Sequence, residues 1–149
     1  MNYYVTALKN AKFKITPQRL AVVDFVSKNT LGHFTAEQVF KSAKENEPTI
    51  TLATTYNALY ALEKAGALRS FELKNTTWFE SRIKFHANFI CNECGKIYDI
   101  DVDEKKLRSL INSKGFDIEN MDLIISGTCK NCLKLGTKVK AIQHDSFTV

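Results

Sequence analysis

The chain has 149 residues, 44% of them hydrophobic and 25% charged, which is globular rather than disordered and leaves room for one ordinary domain or two small ones. Its first residues, Met1 to Lys9, lack the apolar core of a signal peptide, and no apolar run approaches the ~18 residues a membrane span needs, so a cytoplasmic protein with no membrane partner is expected. Net charge is +5, placed unevenly: residues 1–83 carry 11 Lys and Arg against 7 Asp and Glu, and residues 84–149 carry 10 against 9. The basic excess makes the first half the candidate for a polyanionic partner.

The first half reads as two helices and a third that they present, followed by a hairpin. Thr16 and Pro17 fit an N-cap and a first helical position, with Leu20, Val22, Val23 and Val26 as the apolar stripe up to Lys28. Phe34 and Thr35 open a second helix, Thr35 capping and Gln38 completing a capping box, with Val39, Phe40 and Ala43 inward and Pro48 as the stop. A third helix runs from about Thr51 to Ala65 and breaks at Gly66. Leu68–Phe71 and Thr77–Phe79 are strand-like around a tip at Lys74, Asn75 and Thr76. This order makes a winged helix-turn-helix.

At ~100° per residue, Thr55, Ala58, Leu59 and Leu62 of the third helix share an inward face. Ala53, Asn57, Tyr60 and Lys64 line the opposite face, flanked by Thr54 and Tyr56. That surface suits a DNA major groove, where Asn pairs with adenine and Ala, Thr and Tyr touch thymine methyls. Lys14, Arg19 and Lys74 are the cations expected on the phosphates. An ordinary amphipathic helix is the competing reading; the hairpin and the basic bias favour DNA.

In the second half, His86–Cys91 and Lys96–Asp101 read as strands, and Asp103–Ser113 as a capped helix using Leu107, Leu110 and Ile111, ended by Gly115. Phe116–Ile118 and Leu123–Ile125 supply a further strand or hairpin. The join falls around residues 79–85, which hold no Gly or Pro, so a short hinge is expected. The fold class is α+β: a winged-helix DNA-binding domain over residues 1–82 and a small α/β domain over 83–149.

All four cysteines sit in two pincers, Cys91-x-x-Cys94 and Cys129-x-x-Cys132, separated by 34 residues. The spacing lets intervening structure fold back and close a four-sulfur tetrahedral site, for which zinc is the best match. Two disulfides or a redox pair compete, but nothing points to an oxidising compartment. Four thiolates leave no open coordination position, so this metal is structural.

Ile15-Thr-Pro-Gln-Arg19, His33-Phe-Thr-Ala-Glu-Gln38, Leu52-Ala-Thr-Thr-Tyr-Asn57 and Leu62-Glu-Lys-Ala-Gly66, with Phe89–Ile100 and Gly127–Cys132, resemble the ferric-uptake-regulator family in order over nearly the whole chain. The resemblance implies a homodimeric, metal-responsive transcription regulator, usually a repressor, on a palindromic double-stranded DNA operator. It also implies a second, regulatory metal (Fe(II) or Mn(II), with Zn(II) as an alternative) whose ligand positions carry over to His33, Glu80, His86 and Asp99. A further position, usually His in the family, falls on Asn88, a weaker ligand. Iron-sensing members tend to carry Glu where this chain has Asp99 and peroxide-sensing members Asp, so the resemblance leans toward peroxide sensing. In that mechanism, bound Fe(II) reacts with hydrogen peroxide and an imidazole ligand is oxidised, His33 and His86 being the targets. An iron- or zinc-responsive repressor is the alternative within the family. A small metalloenzyme is disfavoured because no acid–base pair or nucleophile accompanies the ligands. His144 is assigned no role.

Overall fold

The computed structural model describes residues 2–140, so His144 lies outside the described residues. The chain divides into two compact units, residues 1–84 and 85 onward.

The first unit opens with α1 (Tyr3–Asn10), capped by Asn2, whose side chain accepts from the Tyr4 N–H at 2.8 Å. No helix was expected from Tyr-Tyr-Val-Thr, a run of weak helix formers; burial of Tyr4 and Leu8 in the core stabilises it instead. Helix α2 (Pro17–Lys28) starts as expected, with Thr16 accepting from the Arg19 N–H at 3.2 Å and Pro17 in the first turn. Val22, Val23 and Val26 are buried, but Leu20 is 45% exposed and leaves the stripe. At ~100° per residue it lies roughly 110° round the helix from the centre of those three valines.

Strand β1 (His33–Thr35) precedes α3 (Ala36–Asn46), where the Thr35–Gln38 capping box closes in both directions. The strand was not expected; three residues are too few to show alternation, and only pairing with a later strand reveals it. Helix α4 (Leu52–Lys64) is capped by Thr51 and buries Thr55, Ala58, Leu59, Ala61 and Leu62. It ends with Gly66 at φ +74° while the Ala67 N–H reaches back to the Leu62 carbonyl at 2.9 Å, a Schellman closure.

Strands β2 (Arg69–Leu73) and β3 (Thr76–Glu80) form the wing. Its tip is two residues, Lys74 and Asn75, at φ +49° and +62°, the left-handed pair of a type I′ turn. Thr76 therefore belongs to the strand, opposite Leu73. The sheet order is β1-β3-β2, all antiparallel. Phe79 of β3 is fully buried with Val22, Val26, Val39, Leu59 and Leu62 of the helices, so the core fixes both the wing and the exposed face of α4.

The second unit is a three-stranded sheet of order β5-β4-β6. Strands β4 (Ala87–Cys91) and β5 (Ile97–Ile100) form an antiparallel pair, and β6 (Leu123–Gly127) runs parallel to β4. The crossover carries α5 (Glu104–Asn112), capped by Asp103, which buries no residue. The expected strand at Phe116–Ile118 is absent; that stretch is irregular and Phe116 is 68% exposed. A final helix, α6 (Lys130–Lys140), interrupted by non-helical geometry at Gly136, was also not anticipated.

Leu59→Ala should lower unfolding free energy by about 2–5 kcal/mol in urea titrations, while Leu20→Ala should cost under about 1 kcal/mol. Equal losses would contradict the inward face assigned to α2 and α4.

Candidate metal and nucleic-acid sites

The four cysteine sulfurs lie within 4.8 Å of one another. Cys91 ends β4 opposite Gly127, the last residue of β6, and the Asn92 N–H donates to the Gly127 carbonyl at 2.8 Å. The first pincer turns back at Gly95, whose φ of +72° only a residue without Cβ adopts freely, and its N–H closes on the Cys91 carbonyl at 2.9 Å. Two residues beyond β6, the Cys129 N–H donates to the Cys91 sulfur at 3.3 Å, and the Cys94 and Cys129 sulfurs are 3.9 Å apart. All four are free cysteines, which removes the two-disulfide reading.

Electrostatics sort the sulfurs. Cys91 is lowered to about 6, first by the Cys94 N–H and then by that of Cys129. Cys129 is also lowered, by the Cys132 N–H first and the Tyr98 phenol second. Cys132 is pushed up to about 12, chiefly by its hydrogen bond to Cys129. Four thiolates at such separations repel one another, so a divalent cation is what lets all four ionise together near neutral pH. Four soft donors this close together fit a tetrahedral metal with no vacant position.

Tyr98 was missed by sequence reasoning. It lines one cavity with Cys129, and the neighbouring Cys129 sulfur first and burial second push its phenol up to about 12. No spacing rule pairs residues 98 and 129; the register of β5 on β4 does.

Each unit also carries a histidine–carboxylate pair. In the first, His33 of β1 and Glu80 of β3 face each other in register, with Nε2 and Oε2 3.3 Å apart and both side chains buried or nearly so. In the second, His86 Nε2 is 3.4 Å from Asp99 Oδ1, the imidazole being fully enclosed and the carboxylate partly exposed. Asn88, 5% exposed, sits opposite Asp99 across β4 and β5. Imidazole with carboxylate is a donor set for Fe(II), Mn(II) or Zn(II).

The residues expected on DNA fall in four places. An open cleft of about 500 Å³ joins Lys14 and Arg19 to Thr54 and Asn57, with Lys12 and Gln18 beside them. Arg19 is tied down there, donating to the Lys14 carbonyl at 2.6 Å with its guanidinium 5.2 Å from the Phe13 ring centre, so it holds the loop that presents Lys14. Ala53 is exposed beside the cleft. Tyr56 stacks on Tyr60 at 6.1 Å and donates to Glu37 at 3.1 Å, while Tyr60 leans edge-on against Phe79. Lys64 lies along a groove lined by Tyr3, Thr6 and Asn10 of α1. Lys74 lies at the wing tip beside Asn75. Lys12 and Gln18 went unnoticed, although Lys12-Phe-Lys14 is a basic loop directly ahead of a helix.

The model of the ferric uptake regulator family matches residues 10–126. The ferric uptake regulation protein of Bordetella parapertussis is 32% identical over 131 residues, 85% of this chain and 94% of that protein. The peroxide operon regulator of Bacillus subtilis is 31% identical over 134 residues, covering 85% and 89%. Among solved structures, the Vibrio cholerae ferric uptake regulator, described for the rearrangement of its DNA-binding domains, superposes with a TM-score of 0.68 at 26% identity, over 83% of this chain and 98% of that one. A winged helix, a metal-binding α/β unit and this match leave one assignment: the chain belongs to the ferric uptake regulator family, whose members are metal-responsive transcription regulators and not enzymes.

Proposed function

We propose that this chain is a metal-dependent repressor that binds a palindromic double-stranded DNA operator as a homodimer in the cytoplasm, with hydrogen peroxide as its signal. Residues 1–82 read DNA and residues 83–149 pair the subunits. The His86–Asp99 pair carries the reading, because the carboxylate there is the shorter aspartate. A relative that is a peroxide operon regulator supports it. An iron-responsive repressor is the second reading, favoured by the Bordetella relative.

In this reading Cys91, Cys94, Cys129 and Cys132 hold a structural zinc. In the same reading His33, Glu80, His86 and Asp99 are the ligands of one regulatory Fe(II) or Mn(II), and the Asn88 amide oxygen is a weaker fifth. Binding of that ion favours the DNA-competent form by mass action. Occupied by Fe(II), the site supplies one-electron chemistry toward peroxide; the chain supplies the imidazoles of His33 and His86 as the groups that are oxidised. Among the described residues no helix is long and apolar enough to cross a membrane. The exposed Leu110 and Ile111 of α5 and Ile124 and Ile125 of β6 supply apolar surface for a second copy.

Mass spectrometry of the Fe(II) form after peroxide should show one added oxygen on a peptide holding His33 or His86; unmodified peptides with retained operator binding would support the iron-responsive reading. Counting metals per chain should give one zinc that survives His86→Ala and one labile ion that does not. Zinc affinity should weaken as pH falls from about 8 to 6, with protons released on binding, because thiolate is the binding form and the raised Cys132 must lose its proton. On DNA, Asn57→Ala should erode sequence preference, whereas Lys74→Ala should weaken all sequences alike and reduce the salt slope by about 1.

A further inference from the structure

Helices α1 and α4 end in the same way, bond for bond, on different residue types. After α4 the Gly66 N–H donates to the Glu63 carbonyl and the Ala67 N–H to the Leu62 carbonyl, each at 2.9 Å. After α1 the Lys12 N–H donates to the Lys9 carbonyl at 3.0 Å and the Phe13 N–H to the Leu8 carbonyl at 2.9 Å. Such a closure puts one residue in the left-handed region, Gly66 at φ +74° and Lys12 at φ +65°. Glycine enters that region freely, whereas a Cβ crowds the neighbouring backbone. The fold of α1 therefore favours glycine at position 12, and the sequence places lysine there at a cost in stability. Strain of this kind gathers where a side chain has work to do.

The lysine is not there for the helix. Lys9 already puts a cation in the last turn of α1, where it complements the helix dipole. Nor does packing call for it, since Lys12 is exposed while Phe13 packs against the core. Its surroundings supply the reason. Lys12 lines the open cleft of about 500 Å³ that also takes in Lys14, Arg19, Thr54 and Asn57. Among the described residues, the other non-glycine residues at positive φ are Lys74 and Asn75 of the wing tip. A lysine in the left-handed region thus recurs on the second loop expected to meet phosphate.

We infer that Lys12 is a phosphate-contacting residue of the DNA interface, held by its left-handed backbone on the same cleft as Lys14. This rests on the DNA-binding role proposed above for the first unit. A contact to phosphate adds affinity equally on every sequence and carries no base preference.

Lys12→Gly is the informative variant, because it supplies the residue the backbone favours and deletes only the charged side chain. Its urea midpoint should equal or exceed the parent's. Full-length chains loaded with zinc and Mn(II) would be titrated, by fluorescence anisotropy, onto two short duplexes over a series of salt concentrations. One duplex is selected from a random pool by the parent chain and the other is of unselected sequence. Lys12→Gly should weaken binding to both by the same factor and flatten the plot of log affinity against log salt by about 0.9 for each chain engaged. Lys12→Arg, which keeps the charge, should retain the parent slope. Lys28→Gln, which removes one charge at the other end of α2 from the cleft, should leave the slope unmoved. An unchanged slope in Lys12→Gly overturns the inference, as does a change that Lys28→Gln reproduces or that Lys12→Arg fails to prevent. A urea midpoint below the parent's overturns it too, since the lysine would then serve the fold. A parent chain with no salt-dependent binding to either duplex overturns instead the DNA-binding reading on which it rests.

Discussion

Without the sulfur cluster, little would hold the second unit's parallel strand in place. Strand β6 reaches its position beside β4 only after a crossover whose helix, α5, buries no residue. The sheet has a narrow core, Ala87, Ile90, Cys91 and Cys129 being its buried apolar residues together with Phe85 just ahead of it. What ties the far end of β6 to the β4–β5 turn is the Asn92–Gly127 bond, the Cys129–Cys91 bond and the four sulfurs themselves. A small unit with so little apolar burial ordinarily needs such a staple. The same ladder sets Asn88 opposite Asp99 and leaves His86 one residue ahead of β4, so the histidine–carboxylate pair inherits its geometry from the register that the cluster secures.

The first unit is built the other way round. Its core is continuous, with residues from α1 through β3 enclosed together, and it makes its histidine–carboxylate pair by strand pairing alone. Glu80 can be buried because a His33 imidazole faces it directly. The core also decides what α4 offers to the outside: with Thr55, Ala58, Leu59 and Leu62 locked inward, Ala53 and Asn57 must face out. Tyr60 complicates that picture. Its ring rests on the buried Phe79 and on Tyr56, so part of its surface is already spent within the unit.

Local signals were legible where the chain itself carries them. Thr16 with Pro17, Thr35 with Gln38, and Gly66 marked helix ends because a cap is a bond between near neighbours. The cysteine spacing was legible for a similar reason: ligand type and separation are written along one dimension. Features created by distant pairing were not. Strand β1 exists because β3 returns beside it, α1 is stable because Tyr4 and Leu8 find a core, and Tyr98 comes to the same cavity wall as Cys129 only through strand register. Leu20 shows the opposite error, an apolar residue credited with burial for its type when its angle on the helix turns it outward.

The order of the two pincers along the chain has a consequence for biogenesis. Cys94 leaves the ribosome 35 positions ahead of Cys129, a delay of roughly 2–7 seconds at ordinary translation rates. During that interval the nascent chain holds only half of a chelate, while the winged-helix lobe upstream already has every residue of its core. The four-sulfur cluster can therefore close only at the trailing lobe, after the winged helix is complete.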